Sequence, residues 1–458
     1  MKMPLFLFIL LLVSCGPKES TRVNKRGVYI NNVNRSPVEL VKQYPTCSES
    51  ELESDNPFFS LIQFLQGRLL TRNIDMQASI SGTTLSSMNG IRETYYDAKM
   101  MLKKTFKQGR LVGLEFVTTQ EPKVLNICPG VKKYERYSYE NAALSANYSI
   151  NKTIQKLEQV NFKSQYPLGL YISPYTIERQ VIETNTEIIS EDSRITDNAF
   201  YIPSLRSIVF LPQSKESREG AGFGNVPLWE VPMVGSHEYG HHVFYSIAGQ
   251  FAGDLHRPSS GCFGEHKSLR GQTLTQGLSV GDVIGALNEG FSDLIAYYTL
   301  DGAERGLNNV VCMEKNREVG SPVFADNTSK LFTSEVINVM FGDGSPIIGS
   351  CLRPNFKHIH IVGAVFASIT ERLMQRYSLS NSEKLALILN WLVELRKTHN
   401  SIYEHGGERY LVKAYSLMAG LVKKRSSGMP ESFTCQLIES LAPESEYMIE
   451  ELESLGCR

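Results

Sequence analysis

The chain has little tryptophan, few histidines and no surplus of either charge: its 458 residues include 2 Trp, 9 His, 47 Lys+Arg and 48 Asp+Glu. A net charge of −1 lacks the basic excess expected of a nucleic-acid protein, so no nucleic-acid partner is expected. Past the first residues no apolar run is long enough to cross a bilayer, which excludes an integral membrane body. No internal repeat and no low-complexity segment occurs. What is present is an ordinary globular composition, 42% hydrophobic and 21% charged, with 21 Tyr and 21 Phe as core material. A chain of 458 residues exceeds one hydrophobic core, so at least two domains are expected.

The first residues read as a targeting signal. Lys2 gives a positive start, and Pro4 to Val13 is an apolar run of 10 residues, too short for a membrane span and suited to a signal-peptide core. The run ends in Leu12-Val13-Ser14-Cys15, which resembles the bacterial lipobox. That resemblance implies cleavage after Ser14, lipidation of Cys15 and attachment to the membrane through lipid alone. Gly16, where an Asp would favour the inner membrane, implies the outer membrane by the same resemblance. The alternative is an ordinary signal peptide that contains a Cys.

Seven further Cys remain: Cys47, Cys128, Cys262, Cys312, Cys351, Cys435 and Cys457. An exported protein can pair them, and an odd number leaves at least one thiol free. None has CxxC spacing, so a thiolate zinc site is not expected.

Along the chain, 1–14 reads as signal, 15–55 as a polar tether and 56–132 as a small N-terminal domain of unknown role, with Phe58–Leu70 helix-like and Leu111–Thr118 strand-like. Residues 133–300 read as an α+β lobe. Asn141–Val160 has Ile150, Ile154 and Leu157 on one helical face, Leu168–Ile172 suits a buried strand, and Asn198–Leu211 reads as a strand pair turning at Pro203. Residues 301–458 read as mainly helical: Ser380-Asn381-Ser382-Glu383 predicts a capping box opening a helix to Lys397, and Arg409–Lys423 predicts another.

The strongest chemical signal is His237-Glu238-Tyr239-Gly240-His241. On a helix, residues four apart share a face about 6 Å apart along the axis, so two imidazoles can hold one Zn²⁺ with Glu238 beside them to take a proton from metal-bound water. A third ligand must come from elsewhere. Asn288-Glu289-Gly290-Phe291-Ser292-Asp293 offers it on a helix expected over Val280–Leu300. Glu289 can ligate while Asp293, four residues on, holds a ligand His by its other nitrogen. The bland alternatives are a helix with two surface His and an acidic solvated face; Val283, Ile284, Leu287, Phe291 and Leu294 make the second helix too apolar for the latter.

These two motifs, in this order, resemble the thermolysin-like gluzincin metallopeptidases, including the fungalysin group. The resemblance spans roughly residues 134–400. It implies a zincin fold, α+β overall: an α+β lobe carrying the active-site helix, and a mainly helical C-terminal lobe. It implies one zinc per chain on His237, His241 and Glu289, with Glu238 as general base and Asn288 and Asp293 supporting the ligands. The metzincin pattern fits poorly, since Phe244 and Ile247 stand where it needs Gly and His. Asn198-Ala199-Phe200-Tyr201 resembles the family's edge strand, implying that Asn198 and Ala199 bind substrate as an added strand. His360, before a helix expected over Ile361–Tyr377, resembles the histidine that donates to the oxyanion; His358 competes for that role.

The stretch Phe251–Ser279, with His256, Cys262, Glu265 and His266, separates the motifs more than in compact relatives. It reads as a surface loop, or else a gating flap or second metal site. His242, turned about 100° from His241, reads as packing or solvent-facing. The expectation is a lipid-anchored zinc endopeptidase of the cell envelope acting on polypeptides. The alternatives are a non-catalytic envelope lipoprotein on the same fold, or a zinc hydrolase of a non-peptide amide.

Overall fold

The computed structural model describes residues 91–107, 110–125, 137–184, 187–215, 227–249, 280–300, 359–375, 377–403 and 407–425, with Val319 and six separate strands elsewhere. Cys15 and the signal segment lie outside the described residues, as do His358, all seven other Cys and most of 251–279. Among the described residues no helix is long and apolar enough to cross a membrane.

The fold is mixed α+β. Its first three strands, β1 (Val28–Tyr29), β2 (Val38–Pro45) and β3 (Leu69–Met76), fall in the expected tether and small domain. The β2–β3 pairing is antiparallel, with Leu40 opposite Ile74 and Tyr44 opposite Leu70. This corrects two expectations: 38–45 is strand within the tether, and Leu69-Leu70 begins a strand instead of closing a helix. Apolar residues at 70, 74 and 76 have the period of a strand, which the shorter helical match at 58–70 concealed.

β4 (Ile91–Tyr96), β5 (Lys99–Lys107), β6 (Arg110–Gln120), β7 (Lys123–Val124) and β8 (Lys133–Tyr134) come next. They are followed by β9 (Leu168–Ile172), β10 (Tyr175–Glu183), β11 (Ile188–Ile195), β12 (Ala199–Ile202) and β13 (Ser207–Phe210). β8 pairs antiparallel with β1, and the others build a five-stranded sheet, β12-β13-β9-β4-β7, and a four-stranded sheet, β11-β10-β5-β6. Both are mixed: β4 runs parallel to β9, and β5 parallel to β10. The two parallel strand pairs pass from one sheet to the other through Asp97 and Ser173, which have φ of 55° and 51°. Residues 91–124 are therefore built into the same sheets as 168–210. A boundary at 132/133 would fall between strands that share backbone hydrogen bonds, β4 with β9 and β5 with β10, whereas β3 pairs with β2. Short β14 (His266–Lys267) and β15 (Thr273–Leu274) pair with each other.

Among the described residues six helices follow the expected pattern. α1 (Tyr139–Gln159) is capped by Ser138, whose side chain accepts from the Asn141 amide, and its Ile150, Ile154 and Leu157 are buried as their spacing requires. α2 (Pro232–Ala248) and α3 (Val280–Thr299) carry the two motifs. α4 (Ile359–Gln375) begins earlier than expected, so His360 is its second residue and not part of a preceding loop. α5 (Asn381–Ile402) has the capping box of Ser380 and Glu383 and runs past Lys397, and α6 (Gly407–Arg425) closes the described fold.

One continuous hydrophobic cluster runs through all six helices and the inner face of the five-stranded sheet. Aromatic rings tie its helical side together. Phe291 of α3 stacks on Trp391 of α5 at 6.3 Å, Phe366 of α4 lies 4.9 Å from the same indole, and Tyr415 of α6 lies 5.3 Å from Phe366. The Trp391 N–H donates to the Ala414 carbonyl at 2.8 Å, so this buried ring is polar-satisfied. The aromatic contacts fix α3 against α4, the packing that positions the site.

Candidate metal centre

α2 enters the core through a 3₁₀ turn at Leu228–Glu230 and opens with Pro232 in its first turn, where a missing N–H costs nothing. Its motif residues are all buried: His237, Glu238, Tyr239, Gly240 and His241. The helix meets α3 where Gly240 faces Ser292, and a Cβ on Gly240 would lie 2.6 Å from the Ser292 Cα. Only glycine permits this approach. The contact brings His-Glu-Tyr-Gly-His against Asn-Glu-Gly-Phe-Ser-Asp.

Ligand atoms of His237, Glu238 and His241 lie within 4.8 Å of one another. The Glu289 carboxylate of α3 completes the group, 3.2 Å from His237 Nε2 and 3.7 Å from His241 Nε2. From α4, His360 Nε2 reaches within 3.4 Å of Glu289. Its side chain is 32% exposed, unlike the buried residues around it.

The imidazoles are held from behind. Asp293 Oδ1 lies 2.7 Å from His237 Nδ1, and Asn288 Oδ1 lies 3.0 Å from His241 Nδ1. Carboxylate and amide oxygens only accept, so both Nδ1 atoms carry hydrogen and donate. Ser292 Oγ, also 3.0 Å from His241 Nδ1, is a supporting group that sequence reading missed. Its position one turn after Asn288, on the same helical face, was the available signal.

With Nδ1 protonated on both rings, two Nε2 lone pairs face the Glu289 carboxylate. Three electron-rich groups so close in a buried site need protons or a cation between them. Burial pushes the Glu289 carboxyl up, but positive charge on His241, His237 and His360, when those rings are protonated, outweighs it and holds the carboxyl well below the usual carboxylate range. Two imidazoles and one carboxylate, with the rings fixed by second hydrogen bonds, are a donor set suited to a divalent metal such as zinc.

Among the described residues β12 ends the five-stranded sheet and pairs only with β13. Ala199 is buried on it. Asn198 is exposed, with its side-chain oxygen accepting from the Ala199 amide at 2.9 Å and its carbonyl accepting from the Leu211 amide at 2.8 Å. His242 is packing, not solvent-facing: it is 1% exposed, and burial pushes its imidazole down to about 4.

No protein-family profile matches the chain, and no curated protein matches it in sequence.

Proposed function

We propose that the chain is a zinc-dependent endopeptidase of the thermolysin-like gluzincin type, with a zincin fold. The observation that carries this reading is the convergence of His237 Nε2, His241 Nε2 and the Glu289 carboxylate, each ring oriented by its own acceptor, with the Glu238 carboxylate beside them. A Zn²⁺ held there would polarise a scissile carbonyl and lower the pKa of a water molecule. Glu238 takes the proton from the attacking water and delivers it to the leaving amine. His360, more exposed than the ligands and at the rim beside Glu289, donates a hydrogen bond where charge develops on the carbonyl oxygen. The free side of β12 accepts an extended peptide as an added strand, with Asn198 and Ala199 at its start.

The lipobox-like Leu12-Val13-Ser14-Cys15 supports a lipid-anchored enzyme of the bacterial envelope, on the outer membrane. Elemental analysis of purified protein, paired with cleavage of denatured casein, tests the reading. One zinc per chain and activity abolished by 1,10-phenanthroline and restored by zinc are expected. Casein cleavage undiminished by the chelator, in a protein without zinc, rules the assignment out. Equal fatty-acid labelling of the parent and Cys15→Ser rules out the anchor.

A further inference from the structure

The residue after the second ligand histidine is a third histidine turned into the protein. His242 Nε2 lies 2.9 Å from Ser164 Oγ, and its Nδ1 lies 3.1 Å from the Tyr201 hydroxyl. Ser164 directs its own hydrogen to the Tyr166 carbonyl at 3.2 Å. Nε2–H therefore donates to Ser164, and Nδ1 accepts from the Tyr201 O–H. Ser246, one turn on, donates to the His242 carbonyl at 2.6 Å and lies 3.2 Å from Ser164. One buried ring thus joins the metal helix α2 to two other places, the turn before β9 and the edge strand β12.

Tyr201 is the β12 residue that points the right way. Alternation along a strand sends Ala199 and Tyr201 to one face and Phe200 and Ile202 to the other. Ala199 and Tyr201 pack with the cluster that contains α2, whereas Phe200 and Ile202 pack with Met100, Phe116 and Val209. The Tyr201 ring also lies 5.6 Å from that of Tyr245, on the same helical stripe as His237 and His241.

We propose that His242 is a positioning residue. Through the Tyr201 hydroxyl it sets the distance between β12 and α2, and so the depth at which a peptide added to β12 presents its scissile carbonyl to the His237–His241–Glu289 group. This rests on the peptidase reading above. It differs from packing in one respect: the Nδ1 bond to Tyr201, and not the bulk of the ring, carries the effect.

Three variants separate the two bonds of the ring. Tyr201→Phe keeps the aromatic contact and removes the hydroxyl. His242→Asn places an amide oxygen where Nδ1 stands, and His242→Gln reaches Ser164 but not Tyr201. Tyr201→Phe and His242→Gln should raise peptide KM about 3–10-fold, the effect of one lost hydrogen bond. In both, kcat should change less than about twofold and bound zinc not at all; His242→Asn should restore KM to near the parent value. Amide hydrogen exchange over 198–202 should quicken in the two impaired variants while 237–241 stays protected. Unchanged KM and exchange in all three variants, or His242→Asn as impaired as His242→Gln, overturns the proposal. A parent chain inactive on peptides overturns the peptidase reading instead, and the exchange pattern alone then decides whether His242 places β12.

Discussion

The carbonyl oxygen of Gly363 stands where a side chain on Gly290 would have to begin: a Cβ on Gly290 would lie 2.3 Å from it. The contact is mutual, since a Cβ on Gly363 would meet the Glu289 Cβ and the Gly290 amide nitrogen, each at 2.7 Å. Glu289 precedes one glycine, and His360 lies one turn before the other. The α3–α4 approach therefore determines how the Glu289 carboxylate and the His360 imidazole meet. Gly290→Ala or Gly363→Ala should destabilise the protein by about 1–3 kcal/mol and weaken zinc binding together. The checks are the thermal midpoint and zinc affinity. A variant with unaltered values for both would mean the helices can part without disturbing the site.

Glu238 and Glu289 should fail differently. Glu238→Gln should retain one zinc and lose nearly all turnover, because the amide cannot accept a proton. Glu289→Ala should lose zinc. Bound metal and casein cleavage measured on both variants decide this, and full activity in Glu238→Gln would contradict the proposed mechanism.

Asp293 should act only through His237. Its Oδ1 sits 2.7 Å from Nδ1 and makes the imidazole a stronger ligand. Asp293→Ala should weaken zinc affinity or activity by roughly 10–100-fold. Competition with a chelator of known affinity measures the shift; an unchanged affinity with unchanged activity would remove Asp293 from the site.

His360→Ala should lower kcat by roughly 10²–10³-fold while zinc content stays at one per chain, as for loss of an oxyanion donor. If zinc is lost instead, His360 belongs to the ligand set; if kcat holds, the donor lies on another residue.

Away from the centre, Lys384 of α5 reaches Glu371 of α4 at 3.1 Å, with side chains 8% and 3% exposed. Tyr298 of α3 also donates to Glu371. Lys384→Met leaves a buried carboxylate without its cation and should cost about 3–5 kcal/mol. Adding Glu371→Gln should recover much of that loss. Chemical denaturation of the single and double variants gives the coupling, and purely additive losses would mean the pair does not interact.

The helices were legible because their signals are local. Ser380 and Glu383 form the capping box their spacing predicts, and His237, His241, Glu289 and Asp293 meet as an i, i+4 reading of each motif requires. Local strand signals were legible too, since Leu168–Ile172 is β9, Asn198–Leu211 holds the β12–β13 pair and Leu111–Thr118 lies in β6, but the pairing of distant strands was not. β5 and β10 lie parallel with nearly every residue half-buried, so neither strand shows the inside–outside alternation that reveals a strand in sequence. Their pairing joins residues 99–107 to 175–183, a relation with no local signature. The same distance hid Tyr201 from His242, and no capping residue immediately before Ile359 marks the start of α4 in the sequence.

The two indoles of this chain are both buried, Trp229 in the turn leading into α2 and Trp391 against Phe291 and Phe366. Each therefore emits from a dry environment only while the helix beside it stays docked. Intrinsic fluorescence can consequently accompany every substitution described above as an internal reporter. A variant whose emission remains at the short wavelength of the parent has lost chemistry alone. One whose emission moves to the red has opened its core, and its missing activity says nothing about the residue that was changed.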